Sequence, residues 1–148
     1  MRETAYAIEA MRLEDIPEVL HLEREAFGQM AWHAGDFEAA IASKCDFPLV
    51  IRTTSLAGYA VLRIIAPEAE VENICVAPAC RRSGVGEALM EAMLRLAAER
   101  DAERIFLEVR AHNEPAKALY RKRGFIESYR RKNYYQGPTE DAIIMMKE

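Results

Sequence analysis

The chain lacks most of the devices that staple, anchor or export a small protein. Of its 148 residues only three are cysteine, Cys45, Cys75 and Cys80. The number is odd, Cys75 and Cys80 are not in C-x-x-C spacing, and no histidine stands in ligand register with them. Neither a disulfide framework nor a metal site is therefore expected. No run approaches the ~18 apolar residues needed to cross a bilayer. Met1 to Met11 carries Glu3 and Glu9, where a secretory leader would have a basic start and an uninterrupted apolar core. A reducing, cytoplasmic compartment without membrane attachment is the expectation. Glycine and proline are few, 7 and 6, and with 51% hydrophobic and 30% charged residues this excludes collagen-like, low-complexity and disordered chains. An excess of positive charge is also missing. With 20 Lys/Arg against 24 Asp/Glu the net charge is −4, the wrong sign for a general nucleic-acid coat protein.

What remains is a soluble globular chain of one domain, residues 1–148, large enough to bury roughly 68–70% of its unfolded surface without a staple. Its charge is uneven. Residues 1–74 hold 6 Lys/Arg and 13 Asp/Glu, net −7, whereas residues 75–148 hold 14 and 11, net +3. A polyanionic ligand is therefore expected on the second half.

Hydrophobic periodicity predicts strand and helix segments throughout. Alternation at Tyr6, Ile8 and Ala10 marks a first strand, and a helix follows over about Glu14–Phe27, stopped by Gly28. A second helix is expected over Asp36–Lys44, and strands over Leu49–Arg52, Leu56–Ala66 and Glu70–Val76. Gly84–Arg100 reads as a long amphipathic helix and Arg104–Arg110 as a strand. Asn113 is suited to cap a short helix that runs to about Arg123. Phe125–Arg131 and Asp141–Lys147 close the chain as strands around a Gly137-Pro138 turn. The pattern predicts an α/β (α+β) fold with one sheet of six to seven strands and about four helices.

The most specific segment is Arg81-Arg82-Ser83-Gly84-Val85-Gly86-Glu87, between a strand and the long helix. Glycine permits close backbone approach, and the free amides of a first helical turn favour an anion, above all phosphate. The alternative is that the glycines only permit a tight turn. No Gly-Lys-Ser/Thr follows and no third glycine falls in dinucleotide register, so the common nucleotide loops fit badly.

With this loop the chain resembles the GNAT acetyltransferase superfamily, whose Arg/Gln-x-x-Gly-x-Gly/Ala pattern is met by Arg81, Gly84 and Gly86. Further strings narrow the resemblance: Ile74-Cys75-Val76, Leu107-Glu108-Val109-Arg110, Asn113, Ala118-Leu119-Tyr120, Gly124-Phe125, Arg131 to Tyr135 and Glu140 to Met145 look like the RimI group. That group acetylates the N-terminal alanine of ribosomal protein S18 from acetyl-CoA, so the resemblance implies a protein N-terminus as partner, with no metal, no nucleic acid and no membrane involved. It also implies residue roles. Ile74, Cys75 and Val76 would offer backbone groups to the pantetheine, Arg82 to Glu87 would wrap the pyrophosphate, and Asn113 would contact the cofactor. Glu108 would be the general base and Tyr120 the general acid. Tyr134 and Tyr135 would clamp the peptide, with Trp32 as the opposite wall.

The residues themselves leave alternatives open. Glu108 is in phase with Phe106 and Arg110, opposite Ile105, Leu107 and Val109, and on its own reads as a solvent-facing strand residue. Glu72 is a rival base on the preceding strand, where alternation puts it on one face with Glu70 and Ile74, opposite Asn73. Tyr120 could be a packed core tyrosine, and the tyrosine pair ordinary strand-end packing. Within the basic run Lys117 to Lys132, Lys117 and Arg123 are candidates to hold the 3′-phosphate. Ala31 stands before Trp32 where the family has proline, and its distance from Phe27 is longer than usual, so a re-aimed acceptor site is expected. The competing functions are a GNAT enzyme acting on lysine or a small amine, and a non-catalytic acyl-CoA sensor.

Overall fold

The computed structural model describes Tyr6–Glu148; Met1 to Ala5, with the Glu3 of the leader argument, lie outside the described residues. Among the described residues seven strands form one sheet in the order β1-β2-β3-β4-β5-β7-β6. The strands are β1 (Ala7–Ala10), β2 (Asp46–Arg52), β3 (Leu56–Ile65), β4 (Glu68–Val76), β5 (Arg104–Arg110), β6 (Ile126–Tyr135) and β7 (Glu140–Lys147). All neighbours are antiparallel except β4 and β5. The α-helices among the described residues are α1 (Ile16–Phe27), α2 (Ala34–Ala42), α3 (Val85–Glu99) and α4 (Glu114–Lys122), in line with the number, about four, expected from the sequence. Among the described residues no helix is long and apolar enough to cross a membrane.

Side chains of a strand alternate between faces, so a strand covered on both sides is apolar throughout. β3 meets that condition. Its Ala60, Leu62 and Ile64 enter a core with Leu89, Met90 and Met93 of α3, while Tyr59 and Val61 enter a second core with Val19 of α1 and Phe37 of α2. The sheet is thus held between α3 and α4 on one face and α1 and α2 on the other. β5 follows the predicted phase, with Ile105, Leu107 and Val109 buried in the α3–α4 core.

β4 departs from the expected alternation. Val61 of β3 lies opposite Asn73 but the next residue, Leu62, lies opposite Val71, so Glu72 is an extra residue in a β-bulge. Ala69 and Val71 belong to the α3–α4 core and Ile74 packs against the same core, whereas Cys75 belongs to the other. Glu72 therefore does not share a face with Ile74; the bulge resets the phase between them. Smaller differences fall at element ends. α2 starts at Ala34 rather than Asp36 because the Asp36 carboxylate accepts the His33 N–H at 2.8 Å and closes the first turn earlier. β6 continues past Arg131 to Tyr135 through a second irregularity, with Asn133 at φ 54°.

Candidate active site

The parallel pair β4–β5 is joined only from Glu68↔Arg104 to Val71↔Leu107. Beyond the bulge the two strands part. β4 stays paired to β3, and Ala77 N–H donates to Ala57 C=O at 2.8 Å. Antiparallel pairs alternate between hydrogen-bonded and non-bonded positions. Counting back from Ala77, Cys75 and Asn73 have their backbone groups engaged with β3, and Ile74 and Val76 turn theirs toward the opening. Of the three residues expected to meet a pantetheine chain, two therefore have free backbone groups. Cys75 instead buries its side chain in the α1–α2 core, and burial pushes its thiol pKa up.

A cavity of about 400 Å³ fills the opening and is lined from both faces of the sheet. Glu23, Trp32, Glu72, Asn73, Glu108 and Tyr135 line it, as do Asn113 and Tyr120 from the α4 side. The bulge and the loss of pairing after Leu107 are what make the cavity continuous through the sheet.

At the open end of β4, Pro78–Cys80 forms a 3-10 turn, and the chain enters α3 through Arg82 at φ 64° and Gly84 at φ 88°. Only glycine adopts that second conformation without strain, and a Cβ there would meet nothing nearer than Tyr6 at 4.0 Å. Gly86 differs. A Cβ on it would sit 3.5 Å from Leu119 and Val76, an ordinary contact, so internal packing does not require glycine there. Among the described residues no protein acceptor takes the N–H groups of Arg82, Ser83, Gly84, Val85, Gly86 or Glu87; the first bond of the helix runs from Ala88 N–H to Gly84 C=O at 2.9 Å. The loop is fastened elsewhere, by the Ser83 hydroxyl donating to Cys80 C=O and Tyr6 OH donating to Ser83 C=O at 2.7 Å. Six unpaired amides at the positive end of a 15-residue helix form an anion cradle. The Glu87 side chain turns away to Lys122 at 3.0 Å and Arg123 at 3.4 Å.

Two groups suited to proton transfer stand on opposite sides of the cavity. Glu108 keeps about a third of its side chain exposed, 31%, and accepts a hydrogen bond from Tyr135 OH at 2.7 Å, with Arg131 4.0 Å from its other oxygen. Tyr120 is buried on α4, edge-on to Phe125, and burial pushes its pKa up to about 12, so the phenol keeps its proton at neutral pH. Glu72, the rival, also faces the cavity; although the residue is exposed, partial desolvation of its carboxyl and then the neighbouring Asp46 raise its pKa to about 7. Asn113 caps α4 as expected, its Oδ1 accepting Ala116 N–H at 3.2 Å. That leaves its Nδ2 for the cavity.

The acceptor side is built by a residue that sequence reasoning passed over. Glu23 is 1% exposed, and its carboxylate accepts Tyr59 OH at 2.6 Å, Asn73 Nδ2 at 2.9 Å and Trp32 N–H at 2.9 Å. It ties α1, β3, the bulged strand and the α1–α2 loop to one point. The signal is spacing: Ile16, Val19, Leu20 and Glu23 share the buried stripe of α1, and an acid in that register requires internal partners. Trp32 packs on Phe37 at 5.1 Å and lines the cavity. The two tyrosines are divided. Tyr135 is buried under the Arg110 guanidinium at 4.0 Å and reaches the cavity, whereas Tyr134 is exposed and lines a neighbouring hollow of about 560 Å³. Lys117 is likewise not available to a phosphate. Its side chain is 8% exposed, with Nζ donating to Ala111 C=O and 2.9 Å from Glu114. Arg123 is engaged by Glu91 at 3.0 Å as well as by Glu87. No group of three His, Cys, Asp or Glu among the described residues is arranged to hold a metal.

An anion cradle and a free strand edge on one face are joined through the sheet to an acid-lined recess on the other, an arrangement with room for two reactants approaching from opposite sides. The family model of the acetyltransferase (GNAT) family matches residues 9–125. The chain belongs to the GNAT acetyltransferase family. A Bacillus subtilis (strain 168) protein is 36% identical over 144 residues, covering 96% of this chain and 95% of that one. The [ribosomal protein bS18]-alanine N-acetyltransferase of Escherichia coli (strain K12) is 35% identical over 143 residues, 93% of this chain and 94% of the other. The crystal structure of the ribosomal-protein-S18-alanine N-acetyltransferase from Escherichia coli superposes with a TM-score of 0.87 at 32% identity, over 97% of this chain and 93% of that one.

Proposed function

We propose that this acetyltransferase takes acetyl-CoA as co-substrate and acetylates the N-terminal α-amine of a protein, with the N-terminal alanine of ribosomal protein S18 as the natural acceptor. The names of the two Escherichia coli relatives support the substrate. The observation that carries the chemistry is the cavity through the sheet, with Glu108 on its acceptor side and the Tyr120 phenol on the other. The cytoplasm is the location that fits this reading, and it involves neither nucleic acid nor membrane.

Each group then has a task. The amides from Arg82 to Glu87 hold the pyrophosphate, with Arg81 and Arg82 adding charge, and the backbone edges of Ile74 and Val76 align the pantetheine as an added strand. Asn113 Nδ2 donates to the same chain. A protein α-amine has an ordinary pKa of roughly 7.7–8.0, against about 10.4 for lysine, so only a modest base is needed to free its lone pair. Glu108 takes that proton, directly or through one water, while the hydrogen bond from Tyr135 fixes the carboxylate in place. The nitrogen attacks the thioester carbonyl carbon and sheds its remaining extra proton to solvent as the C–S bond breaks; the departing thiolate accepts a hydrogen bond from the Tyr120 phenol, which keeps its proton. Trp32 and Tyr135 wall the acceptor, and Glu72 lies beside its path.

The test is a thiol-release assay with acetyl-CoA against peptides beginning Ala-Arg, Ser and Met, beside an internal-lysine peptide and polyamines. Release is expected with the Ala-Arg peptide first. Preference for lysine or polyamine would overturn the substrate, and no release with any amine would favour a sensor. In the same assay Glu108→Gln should lower kcat by about 10²–10⁴-fold with KM for acetyl-CoA unchanged. An unaltered kcat would move the base to Glu72.

A further inference from the structure

The bulge does more than part the strands: it sets Glu72 against Asp46, two strands away. Asp46 opens β2, shares its face with Val50, and has 9% of its side chain exposed. Its Oδ2 accepts from Arg63 at 2.8 Å, but its Oδ1 is buried with no hydrogen-bond donor. An orphaned carboxylate oxygen inside a protein is costly, and such atoms usually mark a missing proton or ligand. The polar groups beside Asp46 are Ser43, Arg63 and the carboxyl of Glu72. Two carboxylates cannot hydrogen-bond each other unless one carries a proton. Ser43 offers a hydroxyl; a proton on Glu72 gives the Asp46 carboxylate a further donor and removes one of two adjacent negative charges.

We propose that Asp46 and Glu72 hold one proton between them as a second acid–base centre on the cavity wall, and that Asp46 is the positioning residue that keeps this proton on Glu72. Asp46 does not reach the cavity; Glu72 does. The direction of both groups agrees with this. Asp46 titrates below the ordinary carboxylate range, the hydrogen bonds with Glu72 and Ser43 and the charge of Arg63 outweighing the effect of burial, while Glu72, an exposed residue whose carboxyl is partly desolvated in the cleft, is raised to about 7, first by that desolvation and then by Asp46. Arg63 pulls Glu72 down and Glu70 pushes it up. Across the cavity lie Glu23, Glu108 and Arg110, with the neutral phenols Tyr120 and Tyr135.

At rest below neutral pH Glu72 therefore adds no charge to a recess whose other acidic side chains are Glu23, Glu70 and Glu108. As pH rises the pair loses its proton to solvent, Glu72 becomes anionic, and a cationic amine is held more tightly just where its own proton must leave. The expected kinetic signature is a KM for the peptide that falls as pH passes the ionisation of the pair, with kcat less affected.

Two substitutions push the titration in opposite directions. In Asp46→Asn the anionic neighbour is gone and the amide can donate to Glu72, so Glu72 should titrate at least one pH unit lower, a tenfold loss of proton affinity. In Arg63→Gln the cation is gone, and the titration should move up. The readout is the ¹³C-carboxyl NMR titration of the free protein, with the Glu72 signal identified by its absence in Glu72→Gln, beside the pH profile of peptide KM. A Glu72 midpoint in the ordinary carboxylate range in the unsubstituted protein would overturn the proposal, as would equal or same-direction shifts in the two variants. General loosening of the fold cannot produce opposite shifts. The kinetic arm rests on the amine-acceptor reading above, whereas the NMR arm does not. A wrong acceptor would leave the NMR titration intact, and a wrong pair would leave thiol release intact.

Discussion

Glu23→Gln tests whether the acceptor side of the cavity hangs on one buried side chain. The substitution conserves shape and removes acceptor capacity. In the native protein three donors converge on the carboxylate: Tyr59 OH and Asn73 Nδ2 on one oxygen, Trp32 N–H on the other. A glutamine has one acceptor oxygen. If that oxygen serves Tyr59 and Asn73, the amide NH₂ faces the Trp32 N–H, donor against donor; if the amide is flipped, the Asn73 NH₂ is the group left over. Either way one buried donor loses its partner, at about 1–3 kcal/mol, and each surviving bond changes from charge-assisted to neutral, a further loss of about 1 kcal/mol each. The total is about 3–5 kcal/mol. For a domain near 150 residues, where each kcal/mol shifts the midpoint by roughly 2–4 °C, Tm should fall by about 6–20 °C in a calorimetric scan. The functional effect should be one-sided. Trp32 and the bulge are what Glu23 holds, so KM for the peptide should rise while the Kd of acetyl-CoA, measured by calorimetry, stays put. A Tm within 2 °C of the unsubstituted protein, or an acetyl-CoA Kd that weakens as much as peptide binding, would refute the reasoning.

Other outcomes follow from single positions. Gly84→Ala places a Cβ at φ 88°, a conformation that costs a side-chain-bearing residue about 1–2 kcal/mol, and since no atom blocks the Cβ the loss is conformational. It should appear as a roughly 5–30-fold weaker acetyl-CoA affinity by calorimetry or as the matching drop in Tm; neither changing would show that the loop does not need that conformation. Asp15 is buried, which alone would raise its pKa, but the Arg12 N–H at 2.8 Å and the Arg52 guanidinium hold it below the ordinary 3.8. Its folded value being the lower, its contribution is present above the unfolded pKa and lost as pH falls through the folded one. The stability difference between Asp15→Asn and the unsubstituted protein, from urea unfolding, should therefore be full at pH 7 and shrink below about pH 4; a difference independent of pH would contradict that pairing.

The second half of the chain was open to reading because its signals are local. Asn113 before a short amphipathic run, Gly84 before a long one and the alternation of Ile105, Leu107 and Val109 each fix an element by contacts within a few residues, and the elements lie where those contacts put them. What escaped is non-local. A single extra residue in β4 leaves no mark in the alternation of Glu70 to Val76, because its presence is defined only by the register of β3. Lys117 reads as one cation among seven until the fold turns it toward Ala111 C=O. Asp46 and Glu72 are 26 positions apart with nothing in either neighbourhood to join them. Glu23 lies between these cases, since its register on α1 was visible but its three partners were not.

The bulge at Glu72 also bears on what kind of sheet evolution could have built. Deleting that residue would remove the register break against β3 and the bend that helps part β4 from β5, drawing backbone groups now turned to the opening toward a strand partner. The resulting sheet would be better bonded and flatter, with no passage from one face to the other. Catalytic capacity here is hydrogen bonding withheld from the protein and kept for a visitor. A screen for heat tolerance alone would therefore be drawn toward closing that seam, and the hardiest descendants of this chain would include some that no longer turn over.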